Sequence, residues 1–447
     1  MDESALKIEW DPYLDAVNDC SPLKVEGRIV KVIGLIAEGE GLGLSIGSLC
    51  TISGSNSDEI LAEVVGFKDD RVLLMPYGET SGIRPGCKIT LVNKNPKAEV
   101  GDNFLGRVVD GMGEPIDGKG PIEAGAKYPL RGTRINPMDR EAIEEHMDVG
   151  VNAINTMIPL GRGQRVAIMA GSGVGKSVLM GMMTKHTQAD VIIIGLIGER
   201  GREVKDFVDN NLGVEGLKKS VVVAATSDSP PLVRMRGAYF ATSLAEYFRN
   251  QGKNVLLIVD SITRFAMSSR DVGLAAGEPP TTKGYTPSFF AQIPVLLERA
   301  GNVQGKGSIT GIYTVLVEGD DMNDPVGDTV RSIVDGHIVL SRDIAMKGHY
   351  PAIDVLASVS RVVNDVSTPD HLELRAELIK VLSAYRDAED MISIGAYANG
   401  SDPLIDRAIQ LKPETDAFLR QGVDEKVTYP EGIVKLEMLF GVANEEV

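Results

Sequence analysis

Cysteine is scarce in this sequence. There are three in 447 residues, Cys20, Cys50 and Cys87, scattered and with no C-x-x-C pair. That usage argues against a disulfide framework or a cysteine zinc site and predicts a reducing compartment. Long apolar runs are also missing: none reaches the roughly 18 residues of a membrane span. The first residues, MDESALKIEWDPYLDAV, are acidic and lack the apolar block of a secretory leader, so none is expected. Basic charge is in deficit, 46 Lys and Arg against 63 Asp and Glu, for a net charge of −17 and a pI near 4.9. A global nucleic-acid footprint is therefore not expected, although a local basic channel stays open. Aromatics make up only 5% of the chain. The five histidines, His146, His186, His337, His349 and His371, show no metal-ligand spacing and read as structural or surface residues. No repeat of 20–50 residues and no low-complexity segment occurs.

What is present falls into regions. Residues 24–95 carry short β-type runs broken by glycine (GRIVKVIGLIA, SLCTISG, ILAEVVGF, RVLLMPYG, CKITLV), the pattern of a small β-barrel or sandwich. Residues 94–150 are punctuated by glycine and proline and read as an entry linker. From 151, apolar runs of strand length alternate with helix-length stretches. The strand candidates are RVAIMA (165–170), VIIIGLIG (191–198), SVVVAATS (220–227), NVLLIVDS (254–261), SITGIYTVLV (308–317) and GHIVLS (336–341). Helices are expected over 232–250 and 287–301. Runs that are almost wholly apolar suit strands covered on both faces of a parallel sheet, joined by right-handed crossovers. From 369 the chain turns helical. The expected domains are thus a docking segment at 1–23, a barrel at 24–95, an α/β core at 96–368 and a helical region at 369–447.

The stretch AGSGVGKS (170–177) sits between a predicted strand and a predicted helix, the context of a phosphate-binding loop. Gly171, Gly173 and Gly175 let backbone N–H groups converge on anionic oxygens, and the helix N-terminus adds its positive end. Lys176 would reach the β/γ-phosphates of a nucleotide and Ser177 would ligate Mg²⁺. Ala170 stands where the usual pattern has Gly; at a strand end it needs no positive φ. Asp260 closes the apolar run VLLIV, where a carboxylate can hold Mg²⁺ through water or cap the next helix. Glu199 and Glu203, in GERGREV after another strand, either orient an attacking water or form a surface cluster with Arg200 and Arg202. Arg361 can stabilise phosphate charge, in a neighbouring subunit if not in its own, or simply be solvated. Tyr350 can stack on a base or be an ordinary loop aromatic.

In combination, AGSGVGKS, GERGREV, LLIVDSITRFA, GEPPTTKGYTPS and PAIDVLASVSR, with VGDNFLGRVVDGMGEPIDGKGPI upstream, resemble the catalytic subunits of rotary-type ATPases. That family includes the F-type β subunit and the bacterial type III export ATPases, and the resemblance runs from about 24 to about 440. It implies an α/β fold: a RecA-like P-loop core with an N-terminal β-barrel and a C-terminal helical domain, in a six-membered ring. It implies ATP and Mg²⁺, the nucleotide held by Gly171, Ser172, Gly173, Val174, Gly175, Lys176, Ser177 and Val178. By the same resemblance Glu199 is the catalytic glutamate with Arg200 and Glu203 supporting it. Asp260 and Ser177 serve the metal, Arg264 senses the nucleotide, Tyr350 packs on adenine, and Arg361 reaches the adjacent subunit's site.

Alanine at 170 and the absence of an acidic DELSEED-type stretch (the turn reads GAYANGSDPLID) resemble the type III export ATPases, and the block from SDSPPLV to TTKGY looks most like their flagellar branch. The injectisome ATPases are the near alternative; an F-type β-like subunit or an RNA-dependent translocase fits less well. That resemblance implies an export function at the cytoplasmic, inner face of the membrane. Its partners would be a coiled-coil stalk, a negative-regulator or stator protein, the export gate and chaperone–substrate complexes, with no nucleic acid. In the family's ring, DDMNDPVGDTV (320–330) faces the central hole, where Asp320, Asp321, Asp324 and Asp328 would meet a basic stalk or remain a solvated acidic loop. Trp10 marks the docking segment.

Overall fold

A computed structural model of the chain describes residues 10, 26–41, 43–54, 59–317 and 324–441. Cys20, Asp320, Asp321 and the expected docking segment 1–23, apart from an exposed Trp10, lie outside the described residues. The chain divides into two compact units, the boundary falling between Pro96 and Lys97.

The first unit is a closed barrel of six antiparallel strands: β1 (Glu26–Ile33), β2 (Ile36–Glu40), β3 (Leu49–Ser53), β4 (Glu59–Lys68), β5 (Arg71–Pro76) and β6 (Lys88–Asn93). Their order around the barrel is β1-β2-β5-β4-β3-β6, so every edge is paired. The β1–β2 hairpin turns at Gly34–Leu35, with Gly34 at φ 55, a conformation that favours glycine. Alternate residues point inward, and Ile29, Ala37, Cys50, Ile52, Val64, Leu74 and Ile89 fill the interior. Cys50 and Cys87 are both buried and free.

The second unit is built on a sheet in which β7 (Lys97–Val100) and β9 (Ala126–Pro129) take no part; they form a two-stranded ribbon. The sheet strands are β8 (Arg107–Asp110), β10 (Arg165–Ala170), β11 (Val191–Ile197), β12 (Ser220–Ala225), β13 (Asn254–Asp260), β15 (Ser308–Leu316), β16 (Gly336–Leu340) and β17 (Ile353–Ser360), with the short β14 (Gly301–Asn302) beside β15. The order is β17-β16-β10-β15-β13-β11-β12-β8. All pairs along this path are parallel except β16–β17. Every residue of β11 and β12 is buried, which is why their sequences carry no alternation.

The helices that matter below are α1 (Asn152–Met157), α2 (Lys176–His186), α3 (Gly201–Asp206), α4 (Pro231–Asn250), α5 (Ile262–Ala275), α6 (Pro287–Leu297), α7 (Pro325–Ile333), α8 (Pro369–Ser393), α9 (Pro403–Leu419) and α10 (Tyr429–Leu439). Barrel, RecA-like parallel core and C-terminal helices are all present, as the fold expectation had it.

Two elements differ from the sequence reading. The Gly/Pro-rich stretch before 151 supplies β8, which pairs in parallel with β12 at the sheet edge. It is ordered by polar anchors: Arg299 donates to Leu130 O at 2.9 Å and Arg140 to Ala300 O at 3.0 Å. The segment IDVLASVS is strand β17, half exposed at the other edge and antiparallel to its neighbour. The C-terminal helices share the main core: Leu378, Phe418, Leu419 and Leu436 pack with the inward residues of β10 and β11.

Candidate active site

Because β10, β11, β13 and β15 run parallel, their C-terminal ends line one edge of the sheet, the usual ligand edge of such folds. The loop Gly171–Gly175 springs from β10 there and delivers Lys176 at the first turn of α2. Gly173 has φ 80 and Gly175 has φ 93, so both occupy the left-handed region; Gly171 does not. Ala170 is a buried strand residue paired with Leu316 and Leu340, so its methyl is accommodated in the sheet. Val174 is buried beneath the loop, whereas Ser172, Ser177 and Val178 face solvent. Asn211, which sequence reasoning passed over, donates to Ser177 O at 3.0 Å and packs on Gly181, fastening α2.

Tyr350 stands over the loop. A Cβ on Gly175 would lie 3.5 Å from Tyr350 Cε1, and the residue is 48% exposed, so one side of the ring is open. Its carbonyl accepts a 3.0 Å hydrogen bond from Gln421 N, which holds the Tyr350 loop to the end of α9.

The charged groups converge in front of the loop. Lys176 Nζ contacts Asp260 Oδ1 and lies 3.6 Å from Glu199 Oε1. Asp260 is the last residue of β13 and only 2% exposed. The cap of α5 is Ser261, whose Oγ accepts from Arg264 N at 3.3 Å, so helix capping does not occupy Asp260. Thr314, also missed in the sequence, donates to Asp260 Oδ1 at 2.5 Å. Its sequence signal is faint: one of four hydroxyl side chains in β15, one step beyond the Val259–Tyr313 pair.

Glu199 follows Gly198, which has φ 73 and on which Arg264 packs; a Cβ there would sit 2.7 Å from Arg264 Cβ. Burial first, and then the Asp260 carboxylate, push the Glu199 carboxyl up to about 7, with Lys176 pulling the other way. Arg264 Nε is buried without a hydrogen-bond partner, and its Nη1 reaches only Met267 Sδ at 3.5 Å. Arg200 and Glu203 form an exposed ion pair at 3.3 Å, the surface arrangement that the residues alone had left open for them.

Arg361 is not brought to this cluster. It follows β17, whose Ser360 pairs with Gly336 at the start of β16, while Leu340 at the end of β16 pairs with Ala170. The length of β16 separates it from the phosphate loop, about 13 Å of strand. It is exposed, with Nη2 3.3 Å from Arg331 O and its backbone N donating to Asp335 O at 2.9 Å.

The donors suit a small hard cation carried by a nucleotide. Ser177 and Asp260 offer oxygen, and the Asp260 carboxylate already accepts the Lys176 ammonium. Among the described residues no group of three His, Cys, Asp or Glu could hold a metal alone. Mg²⁺ needs none, since it takes one or two protein oxygens together with phosphates and water.

Comparison with known proteins gives a consistent picture. Residues 150–360 match the ATP synthase alpha/beta family nucleotide-binding domain, 29–92 its beta-barrel domain, and 367–438 the T3SS EscN ATPase C-terminal domain. The flagellum-specific ATP synthase of Bacillus subtilis (strain 168) is 50% identical over 441 residues, 98% of this chain and 100% of that protein. That of Salmonella typhimurium is 50% identical over 429 residues, 93% of each. The structure of the assembled ATPase EscN from the enteropathogenic E. coli type III secretion system superposes with a TM-score of 0.89 at 44% identity, covering 93% of this chain and all of that one. EscN in complex with its central stalk EscO gives 0.85 at 42% identity, over 93% of this chain and all of that one.

Proposed function

The chain belongs to the ATP synthase alpha/beta family, among the flagellum-specific ATP synthases, and from that premise we propose that it hydrolyses ATP to deliver and unfold proteins for flagellar export. The observation that carries the chemistry is the convergence of Lys176, Asp260 and Glu199 beside the phosphate loop.

ATP lies with its phosphates along the loop from Gly171 to Val178 and its base against the open side of Tyr350. Backbone N–H groups at the N-terminus of α2 and the Lys176 ammonium carry the phosphate charge. Ser177 and Asp260 are the residues that would hold Mg²⁺ arriving with the nucleotide, and the ion would supply further neutralisation of the phosphate oxygens. Glu199, raised toward neutrality by burial, orients a water in line with the γ-phosphorus. Arg264, packed on Gly198 with an unsatisfied N–H, is the nucleotide-sensing residue in this reading.

A positive group on the far side of the γ-phosphate has to come from elsewhere, because Arg361 sits at the opposite sheet edge of its own chain. A second copy supplies it. Head-to-tail contacts of this kind build a ring when their rotation closes, and six copies is the ring this reading takes. No helix among the described residues is long and apolar enough to cross a membrane, which fits a protein working at the cytoplasmic face beside an export gate. The stalk, regulator and chaperone–substrate partners belong to the same reading; EscN's complex with EscO supports the stalk.

The test is complementation between two inactive chains. Lys176→Ala and Arg361→Ala each lose ATPase activity alone. Mixed, they recover a fraction of the rate, which climbs with protein concentration. Full activity from an isolated monomer, or no recovery in mixed rings whose formation is verified by light scattering, would overturn the shared site.

A further inference from the structure

We propose that Thr314 is a positioning residue for the metal-facing carboxylate of Asp260, an inference that rests on the site reading above. Strand β15 lies between β13 and β10 and is buried on both sides, so a hydroxyl there has to justify its place. Valine has the same shape and suits a buried strand at least as well. Of the other three hydroxyls of the strand, Thr310 Oγ1 accepts from Gly163 N at 2.9 Å, Ser308 Oγ donates to Asn254 Oδ1 at 3.0 Å, and the Tyr313 hydroxyl is buried without a hydrogen-bond partner. Thr314 serves Asp260 instead.

Both contacts to this carboxylate, from Thr314 Oγ1 and from Lys176 Nζ, fall on Oδ1. Among the described residues no hydrogen bond is made to Oδ2. The two contacts differ in permanence. Lys176 sits on the first turn of α2 with a flexible side chain and turns to the phosphates when nucleotide binds. Thr314 is 0% exposed on a central strand and cannot follow it. After that exchange Thr314 is the contact that still fixes the carboxylate plane. It holds Oδ1 inward and leaves Oδ2 for the metal's water shell. A carboxylate free to rotate would present either oxygen, and hydrogen bonds of this supporting kind matter to metal affinity by about tenfold or more.

The experiment compares Thr314→Val, Thr314→Ser and Asp260→Asn in the full chain, each first checked for thermal unfolding and ring assembly. The readouts are binding of fluorescent N-methylanthraniloyl-ADP with Mg²⁺ and with EDTA, and the Mg²⁺ concentration that gives half-maximal ATPase rate. Thr314→Val is expected to bind the nucleotide normally in EDTA. Its half-maximal Mg²⁺ concentration rises about tenfold, and Thr314→Ser returns it to within about twofold of the unmodified protein. Should Thr314→Val not fold, Thr314→Ala replaces it in the same comparison. An Asp260→Asn shift in Mg²⁺ dependence without one in the hydroxyl-free variant overturns the role of Thr314. Equal losses in the serine and valine variants overturn it too, because packing then explains the effect. If Asp260→Asn itself leaves Mg²⁺ dependence unchanged, the metal role of Asp260 fails instead.

Discussion

The Lys176 ammonium is held by Asp260 Oδ1, with Glu199 Oε1 3.6 Å away, so the phosphate-loop lysine is neutralised by carboxylates of its own chain. Nucleotide binding therefore exchanges one set of anions for another around a single cation. In a largely buried cleft the two arrangements compete directly, because an unpaired charge left behind is costly.

That competition predicts an unusual response to Asp260→Asn. Removing the carboxylate frees Lys176 for phosphate, so Mg²⁺-free ATP should bind at least as tightly as it does to the unmodified protein. Tightening by a few-fold is expected. Turnover should nonetheless fall by roughly 100-fold or more, as expected when transition-state charge loses its support. Calorimetry in EDTA and steady-state phosphate release measure the two halves. Weaker Mg²⁺-free binding in the variant would show that Lys176 is not restrained by Asp260.

Glu199 separates binding from turnover in a different way. Glu199→Gln keeps the shape of the site and should keep nucleotide affinity within about twofold, while losing on the order of 10²–10⁴ in rate. Its carboxyl, raised from 4.5 to about 7, also sets a pH limb. The ionised form is the one that orients water, so kcat/KM should rise with pH through about 7. For folding the sign is opposite. Between about pH 4.5 and 7 the nucleotide-free native state keeps a proton that the unfolded chain has released. Stability contributed by this group is thus present at the acid end and lost as pH rises. Thermal unfolding of Glu199→Gln across that window should lack this component.

The loop's conformation yields a third expectation. Gly175 has φ 93, so Gly175→Ala puts a side chain on a left-handed residue, its Cβ in van der Waals contact with the Tyr350 ring at 3.5 Å. A cost of about 1–2 kcal/mol is expected from the backbone alone, with nucleotide affinity lost as the N–H groups turn away. Ala170→Gly should do little to binding and destabilise by about 0.5–1 kcal/mol, since residue 170 is an ordinary strand position. Equal effects of the two substitutions on nucleotide affinity would contradict the loop geometry.

These sites were legible in the sequence to different depths. The buried strands β10 to β13 announced themselves because burial on both faces leaves uninterrupted apolar runs, and the loop because its glycines answer to φ. Strand β8 was hidden in a stretch dense in glycine and proline, which is tied down by partners far along the chain, Arg299 donating to Leu130 O and Ala300 O accepting from Arg140. Strand β17 alternates half-exposed residues, so its sequence carries no buried run. Choosing between a capping and a ligand-facing Asp260 required knowing that Ser261 takes the cap. Thr314 becomes visible only through strand register, which no local pattern encodes. Arg361 could be recognised by its surroundings in the sequence, but its place at the far edge of the sheet follows from the antiparallel turn of β17.

The C-terminal helices should come under acid stress through one histidine. His146 stacks on Tyr429, the first residue of α10, with ring centroids 3.9 Å apart, and its Nε2 is buried without a hydrogen-bond partner. Tyr429 in turn meets His371 Nδ1 at 3.1 Å, and His371 Nε2 lies 2.6 Å from Thr156 O on α1. Since that carbonyl only accepts, Nε2 carries the proton, and Nδ1 of the neutral ring accepts from the tyrosine. Asp148 fastens the same corner by accepting from Tyr429 N at 2.9 Å. Burial lowers His146 from 6.5 to about 4, against the attraction of Asp148 and with added repulsion from His371. The unfolded chain therefore takes up a proton that the native state refuses, and stability present above about pH 6.5 is lost as pH falls toward 4. His146→Phe keeps a ring against Tyr429 but cannot titrate. Its advantage over the unmodified protein should grow by on the order of 2 kcal/mol between pH 7.5 and pH 4.5. Denaturant midpoints for both chains at the two pH values measure this. Parallel losses in the two would place the acid sensitivity elsewhere.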